Sequence, residues 1–396
     1  MKAPFAKASE ARPASEKAAA AEASFAKATV NAPGYVRAIA PYQGGRPVEE
    51  VASEMGLRPE SIIKLASNEN PLGMPPGARA AAAAALADGG RYPDGNGVAL
   101  KAALSQRLHV APSWLTLGNG SNDILELAAS LMLAPAASCV YSQYSFAVYA
   151  LAVQARGARA IVTPAPDLGH DLAAMRAAIA ADTRLIYIAN PNNPTGTLLA
   201  GEALEEFVRS VPPGVLVVLD EAYNEYLPPA GRYDSLPWVR RHPNLIVSRT
   251  FSKVYGMAGL RVGYGVAQPD LTDLLNRIRQ PFNVSSVAQA AARAALDEDG
   301  FVRRSVELNE RGRAELCIRL AAMGLEVAPA NGNFVLVRIG PAGAVYQELL
   351  KRGVIVRAVA NYDLPQWLRV TVGLPEENAR FLRELPAALA AANADA

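Results

Sequence analysis

Two rhythms of hydrophobic and polar positions run along this chain. Between residues 138 and 267, short apolar runs alternate with stretches whose apolar residues recur every three or four places. The runs SCVYS (138–142), ARAIVTP (158–164), RLIYIAN (184–190), VLVVLDEA (215–222), NLIVSRT (244–250) and LRVGYGVA (260–267) predict strands. Several are nearly continuous Val, Ile and Leu, which suits strands covered on both faces in a mostly parallel sheet. The segments 121–133, 171–180 and 201–210 keep helical spacing, and Ser121 stands where an N-cap is expected. The alternation predicts an α/β fold, with helices flanking the sheet.

The rhythm changes near residue 286. Helical material through 324 gives way to the strand-like runs GLEVAPA, NFVLVRI, VIVRAV and WLRVTVG, interrupted by the helical AVYQELLKRG and followed by a C-terminal helix. A large domain over residues 70–285 and a smaller α+β domain over 286–396 are therefore expected, with a cleft between them. Residues 31–69 are too few to stand alone and are expected as an N-terminal arm packing with the small domain. Residues 1–30 are biased to Ala, Lys, Glu and Ser and lack the apolar centre of a secretory signal, so they read as a flexible tail.

Composition narrows the partners. With 51% hydrophobic and 19% charged residues, the chain has the balance of a folded globular protein. A formal charge of +2 gives no electrostatic reason to expect nucleic acid or a lipid surface. No apolar run approaches the roughly 20 residues that span a bilayer. Cys139 and Cys317 lie far apart, and His109, His170 and His242 are scattered. Neither a disulfide framework nor a metal site is expected, and a reducing cytoplasm suits the chain. Small molecules remain as the expected partners.

Three predicted strands end in residues that can do chemistry. VLVVLDEAYNEY leaves its strand at Asp220, RLIYIAN runs into the rigid turn NPNNPTG (190–196), and NLIVSRT runs into a stretch holding Ser252, Lys253 and Arg261. In open parallel sheets, ligands bind beyond the carboxyl ends of the strands. Taken singly, each feature has an ordinary reading: a capping acid, a turn, a solvated lysine. Together they suggest more. A lysine forms Schiff bases with carbonyls once its surroundings lower its pKa from about 10.4, and Arg261 would contribute to that. Ser252 and Arg261 offer a hydroxyl and a planar fork of donors, suited to phosphate. GNGSND (118–123) opens a helix whose backbone N–H groups at Ser121 and Asn122 would face an anion. A Schiff-base lysine, a phosphate cradle and a buried carboxylate are what pyridoxal 5′-phosphate requires.

At this point the sequence resembles a known family, the fold type I pyridoxal-phosphate aminotransferases, and within it the histidinol-phosphate aminotransferase branch. SKVYGMAGLRVG, NPNNPTG, LDEAY, ASNENPLG, RYPDG and LRVTVG occur in the family's order, and the resemblance covers about residues 30–390. It implies that Lys253 is the Schiff-base lysine and proton carrier, that Asp220 pairs with the pyridine nitrogen, and that Tyr223 and Asn193 bond the ring oxygen. It implies that Ser252, Arg261, Ser121 and Asn122 hold the phosphate and that Tyr144, in YSQYSFAVY, stacks on the ring. Tyr92, in RYPDG, would reach the phosphate in the neighbouring subunit, which calls for a homodimer with shared active sites.

The same resemblance bears on the substrate. Arg369 matches the arginine for the substrate's acidic end, Arg357 matches a second arginine typical of the branch, and Tyr42 matches a residue near the distal group. A phosphate monoester rewards two arginines where a carboxylate needs one. The expected reaction is amino transfer between L-histidinol phosphate and 2-oxoglutarate/glutamate, in two half-steps. An aromatic amino acid aminotransferase for phenylalanine or tyrosine is the alternative, and an amino-acid O-phosphate decarboxylase a more distant one.

Overall fold

The computed structural model describes residues 30–394 apart from 43 and 228, so the tail expected over 1–30 lies, save Val30, outside the described residues. The chain divides into two units, Met1–Pro41, whose described part carries the short helix Gly34–Arg37, and Tyr42–Ala396. All the strands belong to the second. They are β1 (Ile63–Lys64), β2 (Leu115–Gly118), β3 (Ser138–Ser142), β4 (Arg159–Thr163), β5 (Thr183–Ala189), β6 (Leu216–Asp220), β7 (Leu245–Thr250), β8 (Gly263–Val266), β9 (Glu326–Val327), β10 (Phe334–Arg338), β11 (Val354–Ile355), β12 (Arg357–Ala358) and β13 (Trp367–Thr371).

Seven strands form the main sheet in the order β2-β8-β7-β6-β5-β3-β4. Only β8 runs against its neighbours, and the other pairs are parallel. Continuous apolar runs predict strands covered on both faces, and β6 shows it: Val217 and Leu219 face one core, Leu216 and Val218 the other. Truncating such a fully buried residue, Ile246 for example, to alanine costs on the order of 2–5 kcal/mol. Two differences from the sequence reading stand out. Strand β2 lies in WLTLG, too short a run to read alone as a strand, and β8 begins only at Gly263 because Arg261 turns the chain with φ 56°.

The second sheet is antiparallel, in the order β12-β13-β10-β9, and β1 pairs with β11 in parallel beside it. Leu65 joins the core of this region, with Leu316, Val335, Leu349 and Phe381. The change of core does not fall at residue 286. Helix Ser286–Ala295 packs Ala288, Ala291, Ala292 and Ala295 into the core of the main sheet with Ala78 and Ala82 of helix Pro76–Ala85. Small side chains let those two helices approach closely, a feature that a change of rhythm along the sequence does not register. The 24-residue helix Asp299–Ala322 then bridges the two, with Val302 and Val306 on the main core and Leu316 and Leu320 in the second. No helix of the described residues is long and apolar enough to cross a membrane.

Candidate active site

The parallel register lines up three chemical loops. Ala189 pairs with Asp220 and Asp220 with Ser248, so the turn after β5, the acid ending β6 and the segment after β7 emerge side by side. They border a cavity of about 360 Å³. Every candidate residue from the sequence lines it except Tyr144 and Tyr92.

One corner is built for an anion. Helix Ser121–Met132 begins without a side-chain cap, since the N-cap is Gly120 and Ser121 is the first helical residue rather than the cap. Its first N–H groups therefore carry the positive end of the helix dipole toward the cavity. Arg261 donates to the Ser252 hydroxyl at 3.2 Å, to the Ala258 carbonyl at 3.0 Å and to the Asn119 carbonyl at 3.2 Å. A Cβ at Gly120, where φ is +78°, would lie 2.1 Å from Arg261 Nη2. Only glycine lets the guanidinium approach the helix start.

Burial sets the charge states at the centre. Asp220 is 5% exposed, and desolvation pushes its carboxyl up to about 6. The Tyr149 hydroxyl, donating to Oδ2 at 3.0 Å, and the Ala222 N–H, donating to Oδ1 at 3.2 Å, oppose that rise by favouring the ionised form. Lys253 is pushed down to about 8, first by burial, then by the charge of Arg369, with Arg261 a lesser cause. The sequence reading credited Arg261; the desolvating walls and a second arginine brought in by folding outweigh it. Lys253 Nζ donates to the Ser67 carbonyl at 3.3 Å and lies 5.6 Å from the Tyr223 ring. Tyr223, raised to about 12 by burial, accepts at its hydroxyl from Asn68 at 2.9 Å.

The far wall comes from the second sheet. Arg357 on β12 and Arg369 on β13 are direct cross-strand partners, so both side chains leave the same face. Arg369, 7% exposed, donates to Asn193 Oδ1 at 2.5 Å and to the Ala66 carbonyl at 2.7 Å, while its Nε has no partner. Arg357 donates to the Gly44 carbonyl at 2.7 Å and lies 6.0 Å from the ring of Tyr42.

Two tyrosines are placed elsewhere. Tyr144, with φ 52°, packs beside the cluster of Leu336, Tyr362 and Trp367, and its carbonyl accepts from Asn192. Two other aromatics of YSQYSFAVY take the places near the site: Phe146 lines the cavity and Tyr149 holds Asp220. The left-handed turn at Tyr144 redirects the chain, which residue order alone does not reveal. Tyr92 is 83% exposed and stacks on Phe282, outside this chain's own cavity. Asn68, which also borders the cavity, lies in ASNENPLG with no local pattern that marks it as a site residue. Its φ of 53° is one that asparagine tolerates better than most residues.

Comparison with known proteins agrees with this geometry. The family model for aminotransferase class I and II matches residues 60–385. The chain is 64% identical over 361 residues to histidinol-phosphate aminotransferase 1 of Cupriavidus pinatubonensis, covering 90% of this chain and 96% of that one. It is 63% identical over 368 residues to histidinol-phosphate aminotransferase 2 of Ralstonia nicotianae, covering 92% and 98%. Among solved structures, histidinol-phosphate aminotransferase from Sinorhizobium meliloti in complex with pyridoxal-5′-phosphate aligns with a TM-score of 0.83 at 28% identity, over 91% of this chain and 98% of that one. A chain so matched along most of its length, with a lysine, an acid and an anion corner in one cavity, belongs to the class I and II aminotransferases, within their histidinol-phosphate aminotransferase branch.

Proposed function

We propose that this chain transfers an amino group between L-histidinol phosphate and 2-oxoglutarate, as a cytoplasmic homodimer that uses pyridoxal 5′-phosphate. The donor set fits that cofactor. Lys253 supplies an amine of lowered basicity for the aldehyde, and Asp220 a buried carboxylate for the ring nitrogen. Ser252, Arg261 and the helix start at Ser121 and Asn122, which line the same cavity, would hold the phosphate. When bound, the cofactor supplies a ring that withdraws electrons from the carbon losing its proton.

The chain's own groups do the rest. With its pKa lowered to about 8 by burial, Lys253 would be the base that takes up the substrate's Cα proton at Nζ. Tyr149 and the Ala222 N–H keep Asp220 ionised despite its burial. Asn68 orients the hydroxyl of Tyr223, and Asn193 is held by Arg369. Phe146 walls the cavity. Tyr92, exposed on this subunit, is the residue lent to the partner's site.

The observation that carries the substrate is the cross-strand arginine pair. Like charges directly opposite destabilise a sheet, so Arg357 and Arg369 on one face of the cavity call for an anion between them. A phosphate monoester supplies two charges, whereas phenylalanine and tyrosine carry one carboxylate. The test compares kcat/KM for histidinol phosphate, phenylalanine and tyrosine. Histidinol phosphate is expected to lead by about 100-fold or more, the value of an added charge-assisted contact pair. A preference for phenylalanine would replace the substrate and leave the reaction class standing.

A further inference from the structure

The turn between helices Pro269–Ile278 and Ser286–Ala295 touches two loops at once. On one side, Arg279 donates from Nη2 to the Gly95 carbonyl at 2.7 Å and from Nη1 to Oδ1 of Asn283. Phe282 stacks on Tyr92 with ring centroids 4.7 Å apart, so close to the loop that a Cβ at Gly95 would lie 3.3 Å from its ring. On the other side, Asn283 Nδ2 donates to Asp123 Oδ2 at 2.6 Å and to the Leu117 carbonyl at 3.1 Å, and its own carbonyl accepts from Asn119 Nδ2 at 3.2 Å. Asp123 also accepts the Asn119 N–H at 2.9 Å, and the Asn119 carbonyl accepts from Arg261. One short turn therefore holds both the loop bearing Tyr92 and the loop that forms the anion corner.

The backbone of this turn is strained. Phe282 has φ 59°, a region that bulky residues avoid, and it is 45% exposed, so burial of its ring does not explain the conformation. Such backbone persists where its surroundings over-determine it and gathers at functional positions. Here the flanking Arg279 and Asn283 are both anchored by hydrogen bonds.

We infer that Arg279, Phe282 and Asn283 form a positioning turn linking the phosphate loop of one subunit to the Tyr92 loop it lends to its partner, so that cofactor binding at the two sites is energetically coupled. The inference rests on the homodimer reading given above. A phosphate at Ser121 and Asn122 fixes the Asn119–Asp123 loop, which fixes the acceptors of Asn283 and through it the ring that supports Tyr92. Linkage of this kind is reciprocal: a Tyr92 engaged across the interface steadies the phosphate loop of its own subunit.

The test is a double-mutant cycle on cofactor affinity, read by equilibrium dialysis of pyridoxal 5′-phosphate against apoprotein, with sedimentation recording the oligomer. Asn283→Ala and Tyr92→Phe are each expected to weaken binding by about tenfold, the scale of one lost bond to a charged group. Their combination is expected to weaken it by little more than either alone, because both act through one path. If Asn283→Ala does not fold, Arg279→Gln enters the same cycle, since it releases Gly95 while keeping the bonds of Asn283 to Asp123 and Leu117. An additive double variant, or an unaltered Asn283→Ala, overturns the coupling and leaves the shared site intact. A monomer, or an unaltered Tyr92→Phe, overturns the shared site and the coupling with it.

Discussion

The two ends of the cavity are built differently. The cofactor end hangs from the main sheet: Asp220, Ser252 and Lys253 follow adjacent buried strands, and glycines at 118, 120 and 263 leave no room for side chains, a Cβ at Gly263 lying 2.5 Å from the Ser121 nitrogen. The substrate end rests on the two-residue strand β12, on β13 and on the segment holding Tyr42, which is 52% exposed. Buried parallel strands fix the first, while the second is shaped by long side chains that run from the buried Arg369 through the half-buried Arg357 to the exposed Tyr42. Groups at the deep end should thus govern the chemical step, and groups at the mouth should govern which substrate enters.

The sharpest way to break this contrast is at the deep end. Lys253→Ala should lower kcat by roughly 10⁵-fold or more for every amino donor, the scale seen when a covalent catalytic group is removed. Steady-state and single-turnover rates measure it, and turnover near the wild-type value would remove the basis for the deep site. At the mouth the effect should be smaller and selective. Arg357→Ala should cut kcat/KM for histidinol phosphate by about 10–100-fold, the loss of one charge-assisted contact, and change that for phenylalanine by less than about threefold. Equal losses for both would erase the distinction between the ends.

The smallest effect tests the desolvation of the deep end without any substrate. Folding lowers Lys253 to about 8, whereas an unfolded lysine titrates near 10.4. Between those values the unfolded chain binds a proton that the folded apoprotein does not. The contribution of this group to stability therefore rises with pH across that window, and its cost is fully present below pH 8. Denaturant unfolding of apoprotein at pH 7.5 and 10 should show the wild type gaining on Lys253→Met by on the order of 1 kcal/mol, allowing for solvent screening. Parallel pH dependences in the two proteins would show that the amine is not desolvated.

Much of the deep end was legible in advance because its residues follow strands that announce themselves. The runs before Asp220 and Lys253 are continuous enough to read as buried, and a residue ending a parallel strand has a known place. NPNNPTG and GNGSND carry turn chemistry that is local. Tyr149 was illegible for the opposite reason. Its contact with Asp220 spans 71 residues, whereas Tyr144 in the same stretch packs beside Leu336, Tyr362 and Trp367. Which core receives helix Ser286–Ala295 is not legible in the sequence, because an alanine helix has the same rhythm against either.

By itself, the sequence determined the periodicities: most of the main-sheet strands, the residues that end β5, β6 and β7, and where glycine or proline must stand. Those are properties of neighbours along the chain, set by sterics and by side-chain alternation. The tertiary structure alone decided that Arg357 and Arg369 lie opposite each other across two strands. It also decided that Lys253 is half-buried beside Arg369 and that Asn283 reaches Asp123 from the far side of a turn. Register, desolvation and long-range hydrogen bonds depend on distances in space, which the order of residues does not contain.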